Sequence, residues 1–286
     1  MTAPTIVAAG EVAPQALAEA FNASFAHYVA GTMTLDVPGL AAFLARQGAD
    51  AVLSRVAVDA AGRPLGFVFI GRRPERDGPR CRVGAMGLLP ETRGSGLAQA
   101  LLERAITEAG GRGDTAIELE VFAQNPRAHR LYLSFGFQEV MPLHGYTCGA
   151  SAVRHAEGPA PVPAVLPLAA AADWLARQVT DMPFQQSAHL LRAPTTRGTA
   201  WQAGTALLVF DLPPQDDSML ALRVVHEADA ASGSLAGLVR RLAAEHPQRR
   251  LQMPALLAPQ LGGDVLEQLG FVRQPLHQYL MRRALH

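Results

Sequence analysis

Leu89-Pro90-Glu91-Thr92-Arg93-Gly94-Ser95-Gly96-Leu97-Ala98 joins a strand-like run, Arg82 to Leu89, to a helix-like run that opens at Gly94 or Ser95 and continues to about Ala109. Its glycines let the backbone turn tightly with amides exposed, and a helix start adds N–H groups that have no intrahelical partner. With the positive end of the helix dipole, these amides suit a pyrophosphate. The loop lacks the Gly-Lys-Ser/Thr of a Walker loop and the spacing of a dinucleotide fingerprint. By itself it reads either as a diphosphate cradle or as an ordinary glycine-rich turn.

Working outward, Gln15 to Ala30 carries Leu17, Phe21, Phe25 and Tyr28 at helical spacing, and Val37 to Arg46 reads as a second helix with Pro38 in its first turn. Val52 to Val58 and Gly66 to Ile70 read as strands around the turn signal Asp59-Ala60-Ala61-Gly62. Downstream, Ile117 to Phe122 alternates as a strand, Asn125 to Phe135 reads as a short helix, and Gln138 to Tyr146 leads into the last strands. The expected order is helices, hairpin, strand, helix, strand, helix, strand.

A second block, Leu119-Glu120-Val121-Phe122 through Asn125-Pro126-Arg127-Ala128-His129-Arg130-Leu131-Tyr132 to Phe135-Gly136-Phe137, follows about 25 residues on. Arg93-x-x-Gly96-x-Ala98 together with this block resembles the GNAT acetyltransferase superfamily. The likeness is sharp from about Met86 to Phe137 and weaker before residue 80. It implies acetyl-CoA as cofactor. Met86, Gly87 and Leu88 would hold the pantetheine arm through their backbone, with the Leu88 N–H on the thioester oxygen. Arg93, Gly94, Ser95, Gly96, Leu97, Ala98 and Gln99 would hold the pyrophosphate, and Asn125 would touch the pantetheine arm. Asn125 also suits a helix N-cap before Pro126.

Direct transfer from a thioester requires an amine to lose a proton, the carbonyl oxygen to be held and the departing thiolate to gain a proton. The resemblance gives the last task to Tyr132, which a core position beside Leu131 and Phe135 explains equally. Glu120 is the candidate base and Glu118 its understudy; alternation places both with Phe122 on one strand face, which is otherwise an ordinary solvent-facing set. Phe25, Tyr28 and Asp36 lie where the family builds its acceptor wall. The implied activity is N-acetylation of a primary amine of a small molecule or peptide in a ternary complex. The alternative is a non-catalytic acyl-CoA sensor or interaction module. His27, His129, His144 and His155 show no ligand spacing, so no metal is expected.

The second half echoes the first. Leu269-Gly270-Phe271 follows the Gly136 pair by 134 residues, Leu276-His277-Gln278-Tyr279 follows Leu143-His144-Gly145-Tyr146 by 133, and Ser234-Leu235-Ala236 follows Gly96-Leu97-Ala98 by 138. Two copies of one α/β (α+β) fold are expected, each a mixed, largely antiparallel twisted sheet flanked by helices. They would cover 1–150 and 164–286, joined by a proline-rich linker over 151–163. Ala231 and Ser234 stand at the counterparts of Arg93 and Gly96, so the second copy reads as degenerate. Tandem members of the superfamily such as mycothiol synthase are architectural precedents, although an intact N-terminal motif departs from a mycothiol-type arrangement.

The composition fits. The 286 residues hold 25 basic and 25 acidic side chains and are 49% hydrophobic. That supports sizeable cores and argues against nucleic acid or an anionic membrane as main partner. All the basic residues are arginine, which excludes a Schiff-base lysine and suggests a bacterial source of high GC content. Cys81 and Cys148 are too few for a disulfide scaffold or a Cys-rich zinc site; Arg80 and Arg82 beside Cys81 are of a kind that lowers a thiol pKa, but a lone Cys at a strand edge is more often a small apolar residue. With no signal-peptide pattern and no run of about 18 apolar residues, a cytoplasmic monomer or homodimer is expected.

Overall fold

The computed structural model describes residues 4–75, 77–154, 161–178, 181–211, 218–229 and 231–285. Residues 155–160 of the expected linker, and His155 with them, lie outside these. The chain is mixed α/β and divides into two units, Met1–Val140 with Leu280–His286, and Met141–Tyr279.

The first unit runs β1 (Thr5–Ala8), α1 (Pro14–Phe25), α2 (Val37–Arg46), β2 (Ala49–Val58), β3 (Pro64–Arg73), β4 (Arg80–Leu88), α3 (Leu97–Gly111), β5 (Ala116–Phe122) and α4 (Pro126–Ser134), then enters β6 (Gln138–Gly149). Strands β1 to β4 pair antiparallel in sequence order, and β5 joins β4 in parallel. On one face Leu17, Phe21, Phe25 and Leu40 of the first two helices pack on Val56, Phe67 and Phe69. Each such side chain contributes about 1.5–3 kcal/mol when fully buried. From α3, Leu101, Leu102, Ala105 and Ala109 are buried at helical spacing.

Helix α1 stops at Phe25 rather than Ala30. The Tyr28 amide turns back to the Phe25 carbonyl at 3.2 Å, and Gly31 has φ +104°. Asn22 exchanges two side-chain bonds with the Leu35 backbone, which fixes the loop between the helices. Tyr28 keeps its apolar partner from that turn, 4.9 Å edge-on to Phe25. The four-residue edge strand β1 carries too little alternation to be read from sequence.

The second unit repeats this order: β7 (Ala164–Leu166), α5 (Leu168–Gln178), α6 (Ala188–Leu191), β8 (Thr199–Ala203), β9 (Ala206–Asp211), β10 (Met219–Glu227), α7 (Ser234–Glu245), β11 (Arg250–Leu257), α8 (Gly263–Gln268) and β12 (Val272–Ala284). Strands β7 to β10 pair antiparallel and β11 joins β10 in parallel. The linear division at residue 150 is replaced by an exchange of strands. Residues 141–149 of β6 pair with β11 in the second unit, whereas Leu280–Ala284 of β12 belong to the first. There the Leu285 amide donates to the Thr115 carbonyl, and Arg282 bonds Glu118 of β5. A short connection after each small helix lets a strand continue straight on, and that choice is invisible to residue periodicity.

Candidate active site

The first unit opens a cleft of about 530 Å³. The β4–β5 ladder ends at the pairs Arg82↔Glu118 and Val83↔Leu119. Just beyond, the β3–β4 register skips Gly84, a one-residue bulge that bends β4 away. Met86, Gly87 and Leu88 stay paired to β3 on one edge and line the cleft on the other. The Leu89 amide donates to Leu65 across β3 at 3.0 Å. Alternation along a strand therefore turns the Leu88 amide the other way, toward the gap.

The cradle stands at the end of that edge. Gly94 and Gly96 have φ of +87° and +86°, and a Cβ added to either meets open space. Gly96 is the N-cap of α3 and makes no side-chain cap bond, so the first-turn amides have no cap of the helix's own. Arg93, Gly94, Gly96, Ala98 and Gln99 line the cleft. Ser95 and Leu97 do not: the Ser95 hydroxyl donates to the Thr92 carbonyl at 2.7 Å, and Leu97 is buried in the core. Arg93 also donates to the Ser24 carbonyl at 3.0 Å, tying the loop to the end of α1.

Tyr132 lies in the same cleft and is 8% exposed. Burial raises its hydroxyl pKa above the ordinary 10.0, with nearby Tyr28 adding to the effect. Burial likewise pushes Tyr28 up to about 12. Phe25 and Tyr28 close this end, and Tyr28 meets Phe122 edge-on at 5.7 Å. Asn125 lines the cleft and caps α4, its side chain accepting from the Ala128 amide at 3.2 Å, so the two expectations for it are compatible. Asp36 caps α2 through the Gly39 amide instead of reaching the cleft wall.

The two glutamates of β5 are not on a solvent face. Glu120 does not line the cleft; Arg82 binds its Oε2, and both side chains are 3% exposed. Its Oε1 is buried without a hydrogen-bond partner. Glu118 is wholly buried between Arg73 at 2.9 Å and Arg282 at 3.2 Å. Its pKa rises because burial outweighs the two arginines. Cys81 is the small packing residue of the second reading: burial pushes its thiol up to about 12 despite the flanking arginines.

The second unit places other groups at the matching positions. Its helix α7 starts at Gly233, φ +65°, so the left-handed capping glycine of the cradle is retained rather than lost to Ser234. The cradle is nonetheless filled. Glu227 Oε2 accepts from the Leu235 amide at 2.7 Å, and Ser232 Oγ accepts from the Ser234 amide at 3.1 Å. On the neighbouring splayed strand, the Gln186 side chain donates to the Leu256 carbonyl. The bond from Phe137 N to Tyr132 O is mirrored by one from Phe271 N to Leu266 O, which puts leucine where the first unit has tyrosine. Ala258-Pro259 stands where the first unit has Asn125-Pro126.

Arg127 and Arg130 also line the first unit's cleft, and the motif reading passed over them. Their signal is the spacing of 127, 130, 131 and 134, which lays these positions along one face of α4.

Residues 17–137 match the acetyltransferase (GNAT) family. A mycothiol acetyltransferase from Propionibacterium freudenreichii subsp. shermanii is 35% identical over 100 residues, which is 35% of this chain and 32% of that relative; the match thus spans about a third of that relative's length. A GCN5-related N-acetyltransferase from Sphaerobacter thermophilus superposes with a TM-score of 0.62 at 12% identity, over 98% of this chain and 95% of its own. Another from Anabaena variabilis gives 0.65 at 14% identity, over 99% and 73%. At such identities the superpositions speak to the fold.

Proposed function

We propose that the protein moves an acetyl group from acetyl-CoA to a primary amine of a small molecule or peptide, a reading supported by the match of residues 17–137 to the acetyltransferase (GNAT) family. The observation that carries this reading is one cleft holding an uncapped helix N-terminus, a free strand edge and a buried tyrosine. Acetyl-CoA would supply the acetyl group as an activated thioester.

The amides of Gly94, Gly96, Ala98 and Gln99, with Arg93, suit its diphosphate; each bond to a charged phosphate contributes about 1.5–3 kcal/mol. Met86, Gly87 and Leu88 offer the pantetheine arm a strand edge, and Asn125 faces it from α4. The inward Leu88 amide is the donor for a carbonyl oxygen that gains negative charge, a contact that acts most strongly when that charge develops. Tyr132, kept protonated by burial, gives its proton to the departing thiolate. The amine's proton leaves to solvent at the cleft mouth, because Glu120 lies outside the cleft lining with Oε1 buried and Oε2 held by Arg82. The second unit, with Glu227 in its cradle and Leu266 in place of the tyrosine, carries out none of these steps.

The test is thiol release from acetyl-CoA across a panel of primary amines. Tyr132→Phe is expected to lower kcat by about 10²–10⁴ with coenzyme A affinity within about twofold, since the ring still fills its place. Tight cofactor binding with no transfer to any amine would overturn the reading in favour of a sensor.

A further inference from the structure

The proposed chemistry occupies β4, the α3 cradle, Asn125 and Tyr132, and leaves Phe25, Tyr28 and Val29 of the cleft without a task. These three stand at the end of α1 and in the turn after it. Tyr28 lies close enough to Tyr132 for its charge to act on that hydroxyl. An amine that reaches a thioester beside Tyr132 therefore rests its body against this turn. The turn is fixed by its own bonds: the Gly31 amide donates to the Tyr28 carbonyl at 3.0 Å, and the Thr32 hydroxyl to the Ala26 carbonyl at 2.9 Å. Phe25 and Phe122 pack edge-on against the Tyr28 ring. A wall formed in advance selects its ligand at little ordering cost.

What this wall offers is apolar surface. Val29 is 41% exposed, a large aliphatic side chain left open to the cleft. Burial holds the Tyr28 hydroxyl up at about 12, so it adds no negative charge at neutral or mildly alkaline pH. Among the described residues no carboxylate lines the cleft, whereas Arg93, Arg127 and Arg130 do. A second ammonium group on the acceptor would give up water for rings and a valine with no counter-charge to replace it. We propose that the acceptor is a primary amine on an uncharged apolar body, of the aryl- or alkylamine class, and that Tyr28 and Val29 read that body. This rests on the acetyl-transfer reading above.

The test is steady-state transfer by the full chain, at saturating acetyl-CoA and one pH, to three amines that differ only at their far end. These are heptylamine, hexamethylenediamine and ω-aminoheptanoate, ending in a methyl, an ammonium and a carboxylate. Heptylamine is expected to have a kcat/KM at least about tenfold above either of the others. Val29→Asp, a change at an exposed position, is expected to raise the KM of heptylamine and lower that of the diamine until the two are used about equally, with coenzyme A affinity and melting temperature unchanged. A wild type that uses the diamine or the amino acid as well as heptylamine overturns the proposal, and so does a preference that Val29→Asp leaves intact. Coenzyme A uptake with no transfer to any of the three, or to a wider panel of amines, defeats the transfer reading itself, whereas transfer that favours a charged amine defeats only the acceptor class.

Discussion

A tyrosine hydroxyl pushed up by burial, as at Tyr132, stays a proton donor through neutral and mildly alkaline pH. A buried histidine shows the opposite sign. His226 of β10 is 5% exposed, neither ring nitrogen has a hydrogen-bond partner among the described residues, and Trp174 packs 6.0 Å away. Burial lowers its pKa from 6.5, only partly opposed by Glu227. The unfolded chain takes up the proton first as pH falls, so the stability this residue provides is complete above about pH 6.5 and drains away below it. His144 is lowered too and adds to the trend. Melting temperature is expected to drop between about pH 7 and 5.5, and less steeply in His226→Phe; equal slopes would remove this residue from the account. Arg93, Asn125 and Tyr132 were legible because each sits in a spaced motif on a short local stretch. The surroundings of Glu120 were not, because Arg82 approaches from another strand and Gln47 reaches Arg82 from the end of α2.

β4 and the start of α3 form one side of the cleft, which the end of α1 and α4 complete. A strand held on one edge by β3 and released from β5 past Val83 presents a ready line of backbone groups. The left-handed N-cap at Gly96 then turns the helix start toward that line. Any L-residue at this φ is strained by roughly 1–2 kcal/mol, and its side chain projects into the open cradle. Gly96→Val is therefore expected to weaken coenzyme A binding by about 100-fold, beyond the roughly tenfold that 1.4 kcal/mol represents, with a stability loss confined to that strain. Denaturant unfolding and calorimetry measured together check this; a variant that loses stability but binds normally would show that the cradle lies elsewhere. The strand–loop–helix reading of this segment came from glycine spacing alone. The end of α1 escaped it because Phe25 and Tyr28 keep helical periodicity across a turn.

The whole molecule is two copies of one fold, and among the described residues the cleft tyrosine and the open cradle belong to the first copy. The repeat was visible in the Gly-Phe and Leu-His-x-Tyr echoes, but the strand exchange was not, since β6 and β12 each look like the natural end of their own copy. Residues 1–150 lack Leu280–Ala284, the strand carrying Arg282 to the buried Glu118. Breaking a buried pair costs about 3–5 kcal/mol. A 1–150 fragment is expected to be poorly folded by circular dichroism, whereas residues 1–140 fused to 280–286 recover more of the structure; a stable, cofactor-binding 1–150 fragment would contradict the exchange. The most direct test of the central claim is calorimetric titration of the intact chain with coenzyme A. The account predicts a single site per chain, because Glu227 already fills the other cradle, and no uptake at all, or a second equivalent of comparable affinity, would contradict it.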